Sequence, residues 1–345
     1  MSKKKVVTFG EIMLRLSTPG FSRFIQTDSF DATYGGGEAN VAVSLANYGL
    51  ESHFVSAVPA NPIGDSAINH LRRFGVRTEN VQRSGNRLGI YFLETGASQR
   101  PSKVIYDRAG SSVAELKTGT IDWANVLQGA DWFHWTGITP AIGDRTQRVL
   151  AEALAVAADM NIRISCDLNF RKKLWTTDEA QAVMKPLMKH VDVCIANEED
   201  AQKCLGFELA ASDFESGQLD ESDYRELARR MMKEFAFDTV AITLRESHSA
   251  SRNGWSALLL DDGACSSGRR STRYEITLVD RVGGGDAFAS GLIYGLLSKD
   301  NSFDALEFAV AASCLKQTIP GDFNLVSASE VEHILDSGGS GRVQR

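Results

Sequence analysis

Three consecutive glycines, Gly283 to Gly285, are followed directly by the carboxylate of Asp286, at the point where a strand-like stretch meets a helical pattern. A glycine-rich turn at a helix start exposes backbone N–H groups, and the helix dipole adds partial positive charge there. The motif therefore predicts an anion site, with phosphate as the usual occupant. Asp286 could be a first-turn aspartate that stabilises the helix, or a general base beside a phosphoryl group. Phosphoryl transfer to an alcohol needs both the amide donors and such a base.

Two common nucleotide fingerprints are absent from this motif. A P-loop requires a lysine after its last glycine, and no lysine follows Gly285. A dinucleotide-binding turn requires a third glycine where Phe288 stands, and it opens the first strand–helix unit of a domain, whereas this motif lies near the C-terminal end. A nicotinamide-dependent dehydrogenase is therefore disfavoured.

The elements that must position the motif alternate between short apolar strands and helical patterns. Strands are predicted at Ile162–Asp167 and Val191–Ala196, and helices at Asp178–Lys189 and Glu198–Leu205. This alternation predicts parallel βαβ units, which bind ligands at the carboxyl ends of their strands. Loops or disorder are predicted, from polar composition, for three segments: Ala210–Ser222, Glu246–Gly254 and the tail 337–345.

Two regions interrupt the alternation. Residues 11–34 show no clear helix, and residues 87–109 contain two strand-like runs, Gly89–Glu94 and Lys103–Arg108, around a turn. We expect a small antiparallel β lid that projects from the α/β body. The alternative is a set of edge hairpins on the same core.

Composition limits the class of partner. The chain has 345 residues, 43% of them hydrophobic, and a net charge of −7, which argues against a nucleic-acid partner. No stretch approaches the roughly 18 apolar residues of a membrane span. The start of the chain shows no signal-peptide pattern, and five scattered cysteines indicate reduced thiols. We therefore expect a cytoplasmic protein that binds neither nucleic acid nor a membrane.

Two motifs together resemble one enzyme family. Asp280–Phe288, D-R-V-G-G-G-D-A-F, resembles the D-x-x-G-x-G-D signature of the ribokinase-like carbohydrate kinases, also called the phosphofructokinase-B family. Gly35–Ala42 resembles that family's N-terminal G-G-x-x-x-N-x-A motif, about 245 positions earlier. The resemblance covers about residues 5–335.

The resemblance implies a fold and a set of cofactors. The fold is an α/β kinase domain over residues 1–336, with a three-layer α/β/α body, a central mostly parallel sheet, and lid segments inserted at about 11–34 and 87–109. The cofactors are ATP and Mg²⁺, with K⁺ near Asp280 and Val282 as a further candidate. Because lid sheets of this family often pair across a dimer, a homodimer or higher homo-oligomer is expected.

The resemblance also assigns roles. Asp286 would be the general base, and the amides of Gly283, Gly284 and Gly285 would stabilise the transferring phosphoryl group. ATP is expected to contact seven residues: Asn169, Arg171, Asn197, Thr243, Arg245, Gly283 and Gly285. Magnesium is expected through water near Asn197 and Asp200, where Asp200 stands in place of a longer family glutamate. Arg281 stands where many members have threonine, and we draw nothing from it.

The acceptor is predicted from a second set of residues. Two arginines, Arg108 and Arg171, would favour a carboxylate by bidentate pairing if they met in one cleft, although each alone is more often a surface residue. With Tyr91 and Tyr106 they resemble, residue by residue, the 2-keto-3-deoxygluconate kinases. The resemblance implies ATP-dependent phosphorylation of the C6 hydroxyl of that acid, with related aldonic or keto acids left open. The substrate is then expected to contact eight residues: Gly36, Gly37, Asn40, Tyr91, Tyr106, Arg108, Arg171 and Asp286.

Two alternatives remain open at this point. One is a fructokinase-like or other sugar or nucleoside kinase with the same machinery. The other is a non-catalytic sugar-acid sensor built on the kinase fold, against which an intact Gly283–Asp286 motif argues.

Overall fold

The structure, a computed structural model, describes residues 3–208 and 220–338. Most of the predicted loop Ala210–Ser222 and of the predicted tail 337–345 lies outside these ranges, and the proposed domain bounds stay a prediction. The strands are β1 (Lys5–Phe9), β2 (Met13–Ser17), β3 (Asp31–Gly35), β4 (Glu51–Val58), β5 (Val81–Arg83), β6 (Gly89–Glu94), β7 (Lys103–Asp107), β8 (Trp132–Thr136), β9 (Arg163–Asp167), β10 (Val193–Ala196), β11 (Thr239–Ser249), β12 (Arg252–Asp261), β13 (Arg269–Arg270) and β14 (Tyr274–Thr277).

The helices follow the strands in the predicted alternation. They are α1 (Gly37–Asn47), α2 (Pro62–Arg72), α3 (Trp123–Leu127), α4 (Ile138–Ala141), α5 (Asp144–Asp159), α6 (Thr177–Met188), α7 (Glu198–Leu205), α8 (Glu221–Phe235), α9 (Gly284–Ser298), α10 (Ser302–Lys316) and α11 (Ala328–Ser337). Within the described ranges, none of these helices combines the length and the apolar character that crossing a bilayer requires.

Among the described residues, ten strands form one large sheet. Its order is β13-β12-β11-β10-β9-β8-β1-β4-β5, and β14 pairs with β12. The pairs from β5 to β11 are parallel, and the pairs made by β12 are antiparallel. The predicted mostly parallel sheet is confirmed. Strand β1 lies between β4 and β8: the chain passes first from β1 to β4 on one side and later reaches β8 on the other side of β1. At such a change in the direction of strand order, α/β sheets open a ligand crevice.

Both faces of the large sheet are covered by helices. Along β11, Val240 and Ile242 pack in the core that includes Leu227 of α8, whereas Ala241 packs in the core that includes Phe288 of α9. Successive strand residues point to opposite faces, so a strand buried on both sides is apolar at every position. This arrangement is the predicted three-layer α/β/α body.

The smaller sheet has four strands in the order β3-β2-β6-β7. Strand pairs β2–β3 and β6–β7 are antiparallel, as expected, but the central pair β2–β6 is parallel. Between β2 and β6 the chain runs back through the body as α1, β4, α2 and β5, and so long a crossover can return in the same direction. The predicted lid is thus two antiparallel pairs joined by a parallel one.

The prediction of a loop at Glu246–Gly254 is wrong. Its residues extend the antiparallel pair of β11 and β12 beyond the body. Arg273 Nε donates to Glu246 Oε1 across 2.9 Å, and Arg273 also pairs with Glu275, so ion pairs line this extension. Because Glu246 and its partners face solvent, polar composition cannot distinguish the hairpin from a loop.

Candidate active site

A cleft of about 540 Å³ opens at the carboxyl ends of the central strands, beneath the smaller sheet. The structure brings all the predicted site residues to its walls, although they come from distant parts of the chain. These are Gly36, Gly37, Asn40, Tyr91, Tyr106, Arg108, Asn169, Arg171, Asn197, Asp200, Thr243, Arg245, Gly283, Gly284, Gly285 and Asp286.

The glycine motif begins helix α9, with Gly283 as its N-cap. Gly283 has φ of 81°, and a Cβ there would lie 2.1 Å from the carbonyl oxygen of Asp322, so only glycine fits. The amide of Gly284 donates a hydrogen bond to the carbonyl oxygen of Arg281 at 3.3 Å. Among the described residues, the amides of Gly283 and Gly285 have no protein acceptor. These amides are available to an anion.

Asp286 lies partly buried in the first turn of α9, at the edge of this cradle. Its Oδ2 accepts a hydrogen bond from Asn40 Nδ2 at 2.6 Å, and Asn40 Oδ1 accepts from the amide of Gly36 at 3.2 Å. Burial raises the pKa of Asp286 to about 6, against the opposing effects of the Asn40 bond and the charge of Arg171. A carboxyl with this pKa is largely ionised at neutral pH and is still basic enough to accept a proton.

A second carboxyl, that of Glu38, lies beneath Asp286 and is 1% exposed. Its Oε1 accepts hydrogen bonds from the Thr136 hydroxyl at 2.7 Å and the Thr139 hydroxyl at 2.6 Å. Burial raises the pKa of Glu38 to about 7, and the charge of Asp286 adds to the rise. The sequence prediction missed Glu38; its signal was an acidic residue inside a small-residue motif.

Tyr91, Tyr106 and Arg108 form a stack on the lid side of the cleft. The two tyrosine rings lie 5.8 Å apart, and the Arg108 guanidinium lies 5.5 Å from the Tyr106 ring. Arg108 is already paired, because its Nε donates to Glu11 Oε2 at 2.8 Å and a second nitrogen contacts the same oxygen. Arg171 differs: it is exposed and makes no ion pair within residues 3–208 and 220–338. Arg171 therefore has the charge most available to an anionic ligand.

A buried ionic network joins the lid to the cradle. Arg15 of β2 is 4% exposed and donates to Asp322 Oδ1 and to Asp280 Oδ2, each at 2.6 Å. Tyr91 donates its hydroxyl proton to the same Asp322 carboxylate, at 2.5 to 2.6 Å. The sequence prediction missed Arg15 and Asp322. No local sequence pattern marks Arg15.

The nucleotide side of the cleft is built from strand ends and helix α7. Asn197 and Asp200 cap α7 reciprocally, and Asp200 Oδ1 also accepts from the amide of Phe170 at 2.9 Å. Arg281 lines the cleft, and burial, together with the charge of Arg245, lowers its pKa. Two close guanidinium groups form a cationic patch that suits phosphate oxygens.

Carboxylates crowd one wall of the cleft. Burial, followed by the charges of Asp200 and Asp286, raises the pKa of Asp167 well above its usual range. Burial raises the pKa of Asp200 to about 6. Oxygen donors whose negative charges repel one another fit a hard divalent cation, which would relieve that repulsion.

The chain matches one family model over residues 3–324, that of the pfkB family carbohydrate kinases. Among proteins of known function, it is 31% identical to the 2-dehydro-3-deoxygalactonokinase of Haloferax volcanii over 337 residues, covering 98% of each chain. It is 28% identical to the 2-dehydro-3-deoxygluconokinase of Thermoproteus tenax, covering 96% of this chain and 94% of that one.

The fold matches a solved structure over nearly its whole length. The crystal structure of the 2-dehydro-3-deoxygluconokinase from Thermotoga maritima superposes with a TM-score of 0.92 at 53% identity. The match covers 97% of this chain and 98% of the other.

Proposed function

Because the chain belongs to the pfkB family of carbohydrate kinases, we propose that it phosphorylates the C6 hydroxyl of 2-keto-3-deoxygluconate with ATP. The observation that most supports this proposal is that Asp286 lies beside the Gly283–Gly285 cradle, in the same cleft as Arg171. This arrangement combines an acceptor for the hydroxyl proton, donors for the phosphoryl oxygens and a cation for a sugar acid.

In the proposed reaction, Asp286 accepts the proton of the attacking hydroxyl. Asn40 orients the carboxylate through its 2.6 Å bond, so that the other Asp286 oxygen can face the acceptor. The amides of the cradle donate to the oxygens on which negative charge develops during transfer. The lid residues Tyr91 and Tyr106 cover the acceptor and exclude water, which limits hydrolysis of ATP.

The choice of a sugar acid is supported by charge and by relatives. Arg171 offers a guanidinium that has no ion-pair partner in the described part of the chain, and a planar guanidinium binds a carboxylate through two parallel hydrogen bonds. Arg108 would assist through its remaining terminal nitrogen, since Glu11 binds its Nε and its other terminal nitrogen. Relatives at 53% and 28% identity carry the name 2-dehydro-3-deoxygluconokinase, which denotes the same acceptor.

Kinases of this family use ATP and Mg²⁺. We propose that ATP lies along Asn169, Asn197, Thr243 and Arg245, with Arg281 added at the phosphates. Asp167 and Asp200 would hold the magnesium ion, directly or through water. When bound, the ion neutralises phosphate charge.

A second acceptor has a specific observation in its favour. The Haloferax volcanii relative is named for 2-dehydro-3-deoxygalactonate, and 31% identity covers 98% of this chain. Since this acid has the same carboxylate and terminal hydroxyl, Arg171 and Asp286 could serve both acids alike. Discrimination between them would depend on contacts to the remaining hydroxyl groups.

The test is a coupled assay of ATP consumption with 2-keto-3-deoxygluconate, 2-keto-3-deoxygalactonate, fructose, ribose and adenosine. We expect the highest kcat/KM with a sugar acid, and a product that NMR identifies as the 6-phosphate. Preference for fructose or adenosine would overturn the acceptor assignment. Binding of the sugar acid by calorimetry, without turnover, would support the sensor alternative instead.

A further inference from the structure

The ammonium group of Lys316 is completely enclosed by protein. Lys316 ends helix α10 and is 0% exposed. Its Nζ donates to the carbonyl oxygen of Gly321 at 2.8 Å and to that of Asp280 at 3.2 Å. Lysine is almost never fully buried, because its charge loses the solvation of water. The buried Lys316 ammonium must therefore be stabilised by its surroundings.

The group lies directly behind the anion cradle. A Cβ on Gly283 would be 3.2 Å from Lys316 Cε, so the lysine chain packs against the back of the cradle. The two carbonyls that it binds belong to the segment entering the cradle and to the C-terminal loop beside it. Lys316 thereby ties these segments together and fixes the peptide that leads to Gly283.

The negative charges of nearby carboxylates act on this ammonium. Burial lowers the pKa of Lys316, and the charges of Asp280 and Asp322 oppose that effect. The side chain of Asp280 is itself held in place, because it accepts from Arg15, from the Gly321 amide at 3.1 Å and from the Val282 amide at 3.0 Å. A fixed positive charge is therefore coordinated by oxygen atoms at the base of the cradle.

These contacts do not fit the K⁺ ion that the family resemblance suggested near Asp280 and Val282. A monovalent cation there would compete with Lys316 for the Asp280 carbonyl oxygen, which the ammonium already binds. It would also lie close to a like charge, the Lys316 ammonium. The oxygen atoms that could coordinate the ion serve the ammonium instead.

We propose that Lys316 is a positioning residue that serves as the built-in monovalent cation of the cradle, so that this kinase needs no added K⁺. The ammonium orients the Asp280 and Gly321 carbonyls, and it adds a fixed positive field behind the site where phosphoryl charge develops. This inference rests on the proposed function, because the cradle is taken to hold the transferring phosphoryl group.

The first test uses the wild-type chain. Its melting temperature and its turnover are compared in K⁺, Na⁺ and tetramethylammonium chloride at matched ionic strength. We expect both quantities to agree among the salts. Activation by K⁺ of several-fold, together with a K⁺-specific rise in melting temperature, would overturn the inference. The melting temperature is measured without substrate. Its dependence on the salt therefore tests the role of Lys316 even if the proposed acceptor is wrong.

The second test removes the charge. We expect Lys316→Met to lower kcat by about tenfold or more, below the ~100-fold loss typical of deleting a direct donor, with little change in the KM for the sugar acid. In Lys316→Ala, where space is opened, K⁺ or NH₄⁺ should raise the melting temperature and restore part of kcat, while tetramethylammonium should not. The matched control is Lys299→Met, at a partly buried lysine that pairs with Glu332 and does not line the cleft; its kcat should stay unchanged.

Two results of this second test would refute the role of Lys316. One is normal turnover of a folded Lys316→Met variant. The other is a stable Lys316→Ala variant that responds to no small cation in either measurement. If neither variant folds, the salt comparison on the wild-type chain still decides the question.

Discussion

The side-chain amide of Asn40 donates to Oδ2 of Asp286 across 2.6 Å, and it joins two residues 246 positions apart. Asn40 lies in the first turn of α1 and Asp286 in the first turn of α9, so the two helices begin at the same point of the cleft. The two sequence motifs are therefore one structural unit, in which the first motif orients the carboxylate of the second.

Replacement of Asp286 tests the general base. Asp286→Asn keeps the shape of the side chain but removes its basicity, so we expect turnover to fall at least about a hundredfold. Calorimetric binding of ATP and the melting temperature should remain close to wild type. The control is Asp300→Asn, at an exposed carboxylate after α9. Turnover of Asp286→Asn near the wild-type value would remove Asp286 from the chemistry.

The acid limb of the pH profile should report this carboxyl. A base acts only when deprotonated, so kcat/KM should be full above the pKa of about 6 and fall as the pH drops through it. The Asn40 bond lowers this pKa, and Asn40→Ala should therefore shift the acid limb to higher pH. Titration of ATP affects both proteins equally, so the difference between them isolates the carboxyl. An unmoved limb in Asn40→Ala would contradict the assignment.

Removal of the Arg171 guanidinium tests the hypothesis that the substrate is a sugar acid. We expect Arg171→Ala to raise the KM for the acid about tenfold or more, because a bidentate ionic contact is lost. The KM for a neutral sugar should change far less, and Lys172→Ala, at the exposed neighbour, should change neither. Arg108→Ala should also raise the KM for the acid, but at a lower melting temperature, since Glu11 is left buried without its partner. Equal effects of Arg171→Ala on acidic and neutral sugars would refute carboxylate recognition.

The network around Arg15 should be essential to stability. Arg15→Met leaves the Asp322 and Asp280 carboxylates without their arginine, and breaking such a buried ion pair costs about 3–5 kcal/mol of unfolding free energy. Urea denaturation measures the loss. The surface pair of Lys4 with Asp131 supplies the control, because Lys4→Met should cost no more than about 1 kcal/mol. Similar losses in the two variants would show that the Arg15 network contributes no more than a surface pair.

The expected homodimer can be tested at the outer side of the smaller sheet. Four large apolar side chains are exposed in this region, and apolar area of this kind is typical of protein contacts: Phe21, Ile25, Phe30 and Ile105. Ile105→Glu should shift the mass in sedimentation equilibrium toward the monomer. Ile63→Glu, at an equally exposed site on α2, should not. A wild-type chain that sediments as a monomer would refute the expectation directly.

Sequence patterns predicted the body of this fold well because its strands and helices are buried on regular faces. Helix α7 has the predicted bounds, and β9 and β10 differ from prediction only at their first residues. The hairpin of β11 and β12 was missed where it leaves the body, since its outer residues are polar on both sides. The parallel pairing of β2 with β6 was missed because strand direction depends on the route of the chain through the body.

The sequence by itself determined the cradle and its carboxylate. Gly283 must be glycine because its backbone is left-handed and a carbonyl oxygen approaches it closely. Because this requirement is local, it restricts the residue type at one position and is visible in the sequence as a motif. The tertiary structure alone decided which charges meet: Arg108 with Glu11, Arg15 with Asp322, and Lys316 with two carbonyl oxygens. These contacts have no periodicity or spacing along the chain, because each joins elements that only folding brings together.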